Sequence, residues 1–438
     1  MPLFIVLSGI VLLLILIAVV KLNSFISFII VCLFVGVLRG MELQSIIDSI
    51  QTGIGKTLGY LVMILGLGAM LGKLVADSGA AQRITSKLID KFGNKNIQWA
   101  LVLTGFIVGI PMFYTVGFVI LVPLVFTVAA STGLPLVYVG LPMLASLSVT
   151  HGFLPPHPAP TAIALMFKAD IGKTLIYGII IAIPTIILAG PLLTRKLKNV
   201  NATPLKEFYN PIILKDEEMP SMVISVLSAL LPVLLIAFST ILLNVLPEDF
   251  MLNNIIAFIG DPIMAMLISV LVAIYTLGIN RGRKMTEVMN SVASAISSIT
   301  MVLLIIAGAG ALKQILTDSG VSEYIGTLLS GSSISPLILA WLIATIIRIC
   351  VGSATVAGLT AAGIILPLVS TTGVSPELMV IAIGAGSLMC SHVNDGGFWM
   401  FKEYFNLTVK ETLSTWTVME TTVGIMGLLG VLILNNFV

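Results

Sequence analysis

The sequence predicts an all-α polytopic membrane protein made of two inverted repeats, each with five transmembrane helices, one re-entrant hairpin and one broken helix. Three observations support this fold class. Of the 438 residues, 58% are hydrophobic and 10% are charged, whereas a soluble domain typically carries about a quarter charged residues. The apolar runs lack the alternation of barrel strands, which favours helices. The second half of the chain also repeats motifs of the first half.

Two pairs of short motifs indicate the internal duplication. The Asp-Ser-Gly triplet at 77–79 recurs at 318–320, and the segment 145–151 resembles the segment 386–392. The two pairs are separated by the same distance along the chain, which is typical of a duplicated architecture. The predicted units are a first repeat, a cytoplasmic linker and a second repeat, at 1–200, 201–220 and 221–438.

Each half contains six apolar blocks in the same order. The fourth block holds two short apolar arms around a polar centre, so we interpret it as a re-entrant hairpin, at 98–131 and at 335–371. The fifth block breaks at prolines in one half and at two glycines in the other, which predicts broken helices at 135–168 and 376–405. The other predicted spans are 3–20, 24–39, 57–76, 173–194, 221–246, 262–279, 295–316 and 413–436.

The basic residues decide between parallel and inverted repeats. With one hairpin in each half, each half crosses the membrane an odd number of times, so the second repeat is inverted relative to the first. With the N-terminus outside, most of the 22 Lys and Arg residues fall on cytoplasmic segments, in agreement with the positive-inside rule. We therefore expect a multi-pass protein of the bacterial inner membrane, in contact with lipid, with both termini outside.

Polar residues at the two hairpin tips form one part of the candidate binding site. Tyr114 and Thr115 lie at the first tip, and Gly352, Ser353 and Thr355 lie at the second. The backbone N–H groups and hydroxyls of such a tip can form a nest for an anion. Small polar residues also serve plain helix packing in lipid. We favour the anion nest because both tips occur at equivalent positions.

The two breaks add groups that bind hydroxyls or exchange a proton. Four prolines follow His151 between positions 155 and 160, and the helix that restarts beyond them directs free N–H groups toward an anion. The second break contains His392, Asn394 and Asp395. Because an ionisable residue at membrane depth is a functional hypothesis by default, we expect Asp395 and His392 to carry a coupling proton. Asn394 and His151 are predicted to hydrogen-bond substrate hydroxyls.

Three further charged residues, and the pair formed by His392 and Asp395, have interpretations in which they only stabilise the fold. Arg348 precedes the second tip and is interpreted as locking the hairpin, with attraction of an anion as the alternative. Lys402 and Glu403 are interpreted as solvated interface charges. A satisfied structural pair of His392 and Asp395 is the alternative to their coupling role.

The sequence lacks the motifs that are typical of several classes of activity. A phosphate-binding loop, a His-Glu-x-x-His motif and a Gly-x-Ser-x-Gly elbow are all missing. A carrier driven by an ion gradient is therefore favoured, with a passive channel and, more distantly, an intramembrane enzyme as alternatives. We expect no cofactor, no metal site and no nucleic-acid partner. The expected coupling ion is H⁺, and Na⁺ stays open because backbone carbonyls at broken helices can also hold it.

At these residues the chain resembles the gluconate permease family of gluconate:proton symporters. The resemblance rests on the segments 147–158, 352–357, 391–395, 398–400 and 416–421 and extends over essentially the whole chain. It implies inward transport of gluconate or a similar sugar acid with protons. It also implies the inverted-repeat elevator architecture of the wider ion transporter superfamily and a homodimer. Idonate, other sugar acids and D-serine are the alternative substrates.

Two positions depart from the pattern of that family. Thr115 stands where members often carry an acidic residue, and Ala159 stands where they often carry glycine. Because threonine cannot take up a proton at the first tip, the coupling role is assigned to Asp395 and His392.

Overall fold

In the computed structural model, every regular element of the described residues is a helix. The described residues are 2–197, 200, 202, 214–247, 249–320, 334–393 and 395–438. Asn394 and most of the predicted linker 201–220 lie outside these ranges.

The first half places two short helices before a long helix and two interrupted helix pairs. Its helices are α1 (Pro2–Leu14, followed by a π-helical turn, Ile15–Val19), α2 (Ser24–Leu38), α3 (Leu43–Asp77), α4 (Ala80–Phe92), α5 (Ile97–Gly109), α6 (Tyr114–Thr132), α7 (Leu136–Phe153), α8 (Pro158–Phe167) and α9 (Ile171–Ile187, followed by Leu188–Leu192).

The second half also places a long helix before two interrupted pairs. Its helices are α10 (Met222–Val245), α11 (Asn253–Gly260), α12 (Pro262–Ala273, followed by Ile274–Gly278), α13 (Met285–Asp318), α14 (Pro336–Val351), α15 (Ala354–Thr371), α16 (Pro376–Leu388), α17 (Gly396–Tyr404), α18 (Val409–Thr412, followed by Leu413–Thr417) and α19 (Val418–Leu434).

Among the described residues, six helical segments are long and apolar enough to cross a membrane, and α3 makes a seventh when its two bent parts count as one span. The six segments are Leu136–Phe167, Ile171–Leu192, Met222–Leu243, Pro262–Arg281, Ile299–Asp318 and Val409–Leu434. The helices on either side of each predicted hairpin tip are shorter. The topology of ten spans and two re-entrant hairpins stays a prediction.

The two long helices begin well before the apolar runs that predicted them. Helix α3 has 35 residues, which corresponds to about 52 Å at 1.5 Å per residue and exceeds the ~30 Å hydrocarbon core of a bilayer. Helix α13 packs along it. A Cβ atom on Gly53 would lie 2.5 Å from the carbonyl oxygen of Gly310, so the missing side chain permits this close approach.

Helices α7 and α16 form the centre of the molecule. All residues of α16 from Leu378 to Leu388 are buried, and so is nearly all of α7, as expected for helices that are apolar on every side. Their backbones touch where a Cβ atom on Gly384 would lie 2.1 Å from the carbonyl oxygen of Gly152. This contact brings the chain breaks that follow the two helices close together.

Candidate functional site

A cavity of about 460 Å³ lies where the two helix-pair tips and the two breaks meet. The predicted site residues that line it are Tyr114, Thr115, His151, Gly352, Ser353, Thr355 and Asp395. Arg348, Ser148, Trp416 and Glu420 also line it, as do Ile17 from the turn after α1, Ser24 from α2 and Val302 from α13. Residues far apart in the sequence thus share one chamber.

Four helices begin at this cavity. The first residues of α6, α8, α15 and α17 are Tyr114, Pro158, Ala354 and Gly396, and each of these residues lines the chamber. The N-terminus of a helix presents unpaired N–H groups and the positive end of the helix dipole. Pro158 and Pro160 in the first turn of α8 have no N–H, so this helix contributes mainly its dipole, and the four ends together create a field that favours an anion.

An ion pair joins the two interrupted pairs of the second half. The Nη2 atom of Arg348 lies 2.5 Å from Oδ2 of Asp395, and Oδ1 of Asp395 accepts a hydrogen bond of 2.9 Å from the N–H of Gly397. The Ser391 hydroxyl donates to Oδ2 and accepts a 2.8 Å hydrogen bond from Nε1 of Trp416. The carboxylate is therefore held by three donors and caps α17.

Arg348 has donors left over after this pairing. Its side chain is 3% exposed, and its Nε and Nη1 atoms have no hydrogen-bond partner among the described residues. A guanidinium stays charged and offers a planar fork of donors that matches a carboxylate. The ion pair agrees with the structural interpretation of Arg348, and the unused donors also make this residue suited to bind an anion.

Glu420 is a site residue that the sequence analysis missed. It is 2% exposed and accepts a hydrogen bond from the Ser148 hydroxyl through Oε1, while Oε2 has no partner among the described residues. None of the ion pairs found in the described part of the chain includes it. A lone acid inside an otherwise apolar helical run was the signal that could have identified it.

Histidine and aromatic rings form another wall of the chamber. The ring centroid of His151 lies 6.2 Å from that of Tyr114 and 5.4 Å from that of His157. His157 is buried, and its Nε2 atom lies 2.8 Å from the carbonyl oxygen of Gly109, which ties the first break to the end of α5. The Nδ1 atom of His151 has no partner among the described residues. This wall can therefore hydrogen-bond a polar guest.

Ser353 precedes α15, and Thr355 lies in its first turn. The Ser353 hydroxyl accepts a long hydrogen bond of 3.4 Å from the N–H of Val356, which satisfies one of the free N–H groups at this end. The N–H groups before Val356 stay available to a guest, as the anion-nest interpretation requires.

His392 lies apart from this chamber. Its Nε2 atom is 3.1 Å from the carbonyl oxygen of Ile349, and it is not among the lining residues. Asn394 is outside the described residues, so its position relative to the cavity is not assigned. The described residues contain no group of three or more His, Cys, Asp and Glu side chains that could hold a metal ion.

Comparison with known proteins gives both a family and a set of similar folds. The chain matches the family described as GntP family permease over residues 1–438. It is 55% identical over 435 residues to a high-affinity gluconate transporter and 53% identical over 435 residues to the Gnt-II system L-idonate transporter, both from Escherichia coli K12. It is 49% identical over 446 residues to a gluconate permease of Bacillus subtilis. All three alignments cover 99% of both chains.

Two solved structures have a similar fold at 16% sequence identity. The Alcanivorax borkumensis YdaH transporter aligns with a TM-score of 0.65 over 94% of this chain and 97% of its own. The Neisseria gonorrhoeae MtrF structure aligns with a TM-score of 0.67 over 93% of this chain and 94% of its own. At this level of identity the similarity concerns the fold alone.

Proposed function

The chain belongs to the GntP family of permeases, and on that basis we propose that it imports gluconate or a related sugar acid by proton symport. The relatives are named transporters and permeases, and the protein is accordingly a membrane transporter and not an enzyme. The observation that most supports an acid as substrate is the chamber itself, where four helix N-termini and the buried Arg348 converge. Each of these features attracts an anion.

In the proposed complex, the substrate carboxylate binds the free Nε and Nη1 atoms of Arg348 and the first turn of α15. Ser353 and Thr355 add hydroxyl donors beside it. Tyr114, Thr115 and His151 bind the substrate hydroxyls on the other side, and a hydroxyl-binding role for Asn394 stays a prediction from the sequence. A cavity of about 460 Å³ lies within the range of about 300–1,000 Å³ that small-molecule sites usually occupy.

Proton coupling follows in this proposal from competition for Arg348. Without substrate, the ionised Asp395 holds the guanidinium through Nη2 at 2.5 Å. A proton on Asp395 removes the negative charge, weakens the pair and leaves the guanidinium to the substrate carboxylate. Proton and substrate therefore bind together, and a tenfold difference in proton concentration supplies about 1.4 kcal/mol for each proton.

His392 is the alternative to Asp395 as the site of this coupling proton, with a less direct connection to the substrate. Its ring contacts the carbonyl of Ile349, the residue after Arg348. A positive charge on this ring would act on the ion pair from the end of α14. Asp395 remains the residue that we propose to exchange its partner during transport.

The proposed architecture is that of two inverted repeats with opposed hairpins, ten spans, both termini outside and a homodimeric assembly. The breaks at 110–113 and 352–353, and those at 154–157 and 389–395, occupy the same places in the order of helices. The chamber also touches the turn after α1, and helices α2 and α13, which lie outside the interrupted pairs. In an elevator-type movement, the interrupted pairs would carry the substrate past the helices outside them.

The test is radiolabelled gluconate uptake into proteoliposomes with an inside-alkaline pH gradient and no sodium. We expect concentrative uptake that excess unlabelled gluconate or idonate blocks and that D-serine does not. Counterflow against internal unlabelled gluconate should also occur, because a carrier exchanges bound substrate and a passive channel does not.

The control liposomes contain no protein, and a second set has a sodium gradient at equal pH. Uptake that follows sodium and not the pH gradient would reject proton coupling. Displacement by D-serine better than by gluconate would reject the sugar-acid assignment.

A further inference from the structure

The charged groups of the chamber do not balance one another. Among the described lining residues there are one guanidinium, Arg348, and two carboxylates, Asp395 and Glu420. Arg348 is paired with Asp395 at 2.5 Å. Glu420 therefore lies in a buried site without a cation of its own.

An ionised Glu420 is costly at this location. On insertion scales, a charged acid at the centre of a membrane helix is strongly unfavourable. Glu420 lies inside the continuous helical run Val409–Leu434, so it is not at the N-terminus of its own helix, where free N–H groups would stabilise its charge directly. Its negative charge would also repel the carboxylate of a sugar acid in the same chamber. A proton is the simplest group that removes both difficulties.

The contacts of Glu420 leave one oxygen available for that proton. Oε1 accepts from the hydroxyl of Ser148 on α7, whereas Oε2 has no hydrogen-bond partner among the described residues. The ionisable groups that share the chamber with it are Tyr114 on α6, His151 on α7, Arg348 on α14 and Asp395 at the start of α17. Only Arg348 among them carries a permanent positive charge, and in the described residues its ion pair is with Asp395 and not with Glu420.

We propose that Glu420 binds a second proton in each transport cycle, so that two protons accompany each sugar acid and uptake is electrogenic. This inference rests on the proposed function. With both acids protonated, Arg348 and the substrate carboxylate cancel, and the loaded chamber is neutral. After release of the substrate and both protons, the empty chamber carries one negative charge. Its return across the membrane is equivalent to moving one positive charge inward.

The second proton makes accumulation depend on voltage. One elementary charge in a potential of 100 mV corresponds to about 2.3 kcal/mol. At about 1.4 kcal/mol for each factor of ten, this corresponds to roughly fiftyfold greater accumulation at equilibrium. A carrier that uses one proton for one monovalent acid would show no such response.

The experiment compares wild type with Glu420→Gln in proteoliposomes at equal pH, with an inside-negative potassium diffusion potential set by valinomycin. Gluconate-induced currents are recorded on a solid-supported membrane with the same preparations. We expect wild type to accumulate gluconate in response to voltage and to produce a current. Glutamine keeps the hydrogen bond to Ser148 but cannot cycle a proton. The variant should therefore respond to a pH gradient without voltage dependence or current.

Two further variants make the outcome decisive. Glu403→Gln changes an exposed acid on α17 that pairs with Lys402 and should keep the wild-type current. Glu420→Asp keeps a carboxylate and should also keep a current. The current of this variant therefore tests the role of Glu420 if Glu420→Gln proves inactive. A wild-type current in Glu420→Gln, or loss of current in a Glu420→Asp variant that still responds to the pH gradient, would overturn the role of Glu420.

Measurements on the wild-type protein distinguish failure of this inference from failure of the proposed function. Uptake that responds to the pH gradient but produces no current would reject the second proton and leave one-proton symport intact. Absence of gluconate uptake under either gradient would instead reject the proposed function.

Discussion

The change Asp395→Asn tests the competition for Arg348. Removal of one partner from a buried ion pair costs about 3–5 kcal/mol, and the low end applies because the Asp395 side chain is 16% exposed. Asparagine preserves the oxygen that caps α17 through Gly397. The substrate-free protein should therefore lose about 3 kcal/mol of stability. The substrate carboxylate can take the place of the missing partner, so the loss should be smaller when gluconate is bound.

The same variant should bind gluconate more tightly than wild type. The substrate no longer competes with Asp395 for the guanidinium, and one hydrogen bond to a charged group contributes about 1.5 kcal/mol. This corresponds to roughly tenfold higher affinity. Because one of the two proposed coupling protons has lost its site, accumulation driven by a pH gradient should fall to what the proton of Glu420 alone supports, while counterflow of bound substrate continues.

Thermal unfolding of the purified protein across a gluconate titration measures both stability and affinity, and proteoliposome uptake measures coupling. Glu403→Gln is the matched control, because this acid lies on the same helix and is exposed. Weaker gluconate binding in Asp395→Asn would refute the competition for Arg348. Accumulation at the wild-type level would refute the coupling role of Asp395.

Three further variants address separate parts of the site and the fold. His392→Gln should keep most of the proton-driven uptake, because this ring lies outside the chamber; complete loss of pH response would make it a primary proton site. Arg348→Lys keeps the charge but loses the planar fork, so the gluconate concentration at half-maximal uptake should rise by roughly ten- to a hundredfold; an unchanged value would remove Arg348 from the binding site. Gly384→Ala should lower the free energy of unfolding by about 1–3 kcal/mol, because the new Cβ atom would meet the Gly152 carbonyl oxygen. The control Gly363→Ala should leave it unchanged, because a Cβ atom there has no neighbour within 4 Å. Equal unfolding temperatures for the two variants would contradict the close packing at Gly384.

The positions of the interruptions were readable from the sequence because glycine and proline cannot continue a helix without cost. Helix α15 begins directly after Gly352 and Ser353, and α8 begins at Pro158. The starts of the long helices were not readable in this way. The apolar runs at 57–76 and 295–316 mark only the parts with membrane-like composition, whereas α3 and α13 begin at Leu43 and Met285. The first turns of these helices contain polar residues, so apolar runs do not mark where the helices begin.

The composition of the chamber was only partly predictable. The polar residues at the tips and breaks indicated where a chamber would form, but the partner of each charge depends on packing between distant segments. Asp395 pairs with Arg348, which precedes it by 47 residues. Glu420 contacts Ser148 at a separation of 272 residues. A local pattern contains no information on such pairs, which is why the partner of Arg348 was not predicted and Glu420 was overlooked.

We propose that the binding of an acid and the choice among acids depend on different parts of the chamber. The chain is almost equally similar to a gluconate transporter and to an L-idonate transporter, at 55% and 53% identity. Gluconate and idonate are stereoisomers, so their charge and volume are equal, and Arg348 with the α15 N-terminus cannot distinguish them. The directions of the hydroxyls differ, and Tyr114, Thr115 and His151 are the groups proposed to bind them. A buried hydrogen-bonding group rejects a ligand that leaves it unpaired, and His151 has such a nitrogen. In this proposal, selection among sugar acids therefore depends on the wall formed by Tyr114, Thr115 and His151 and not on the guanidinium.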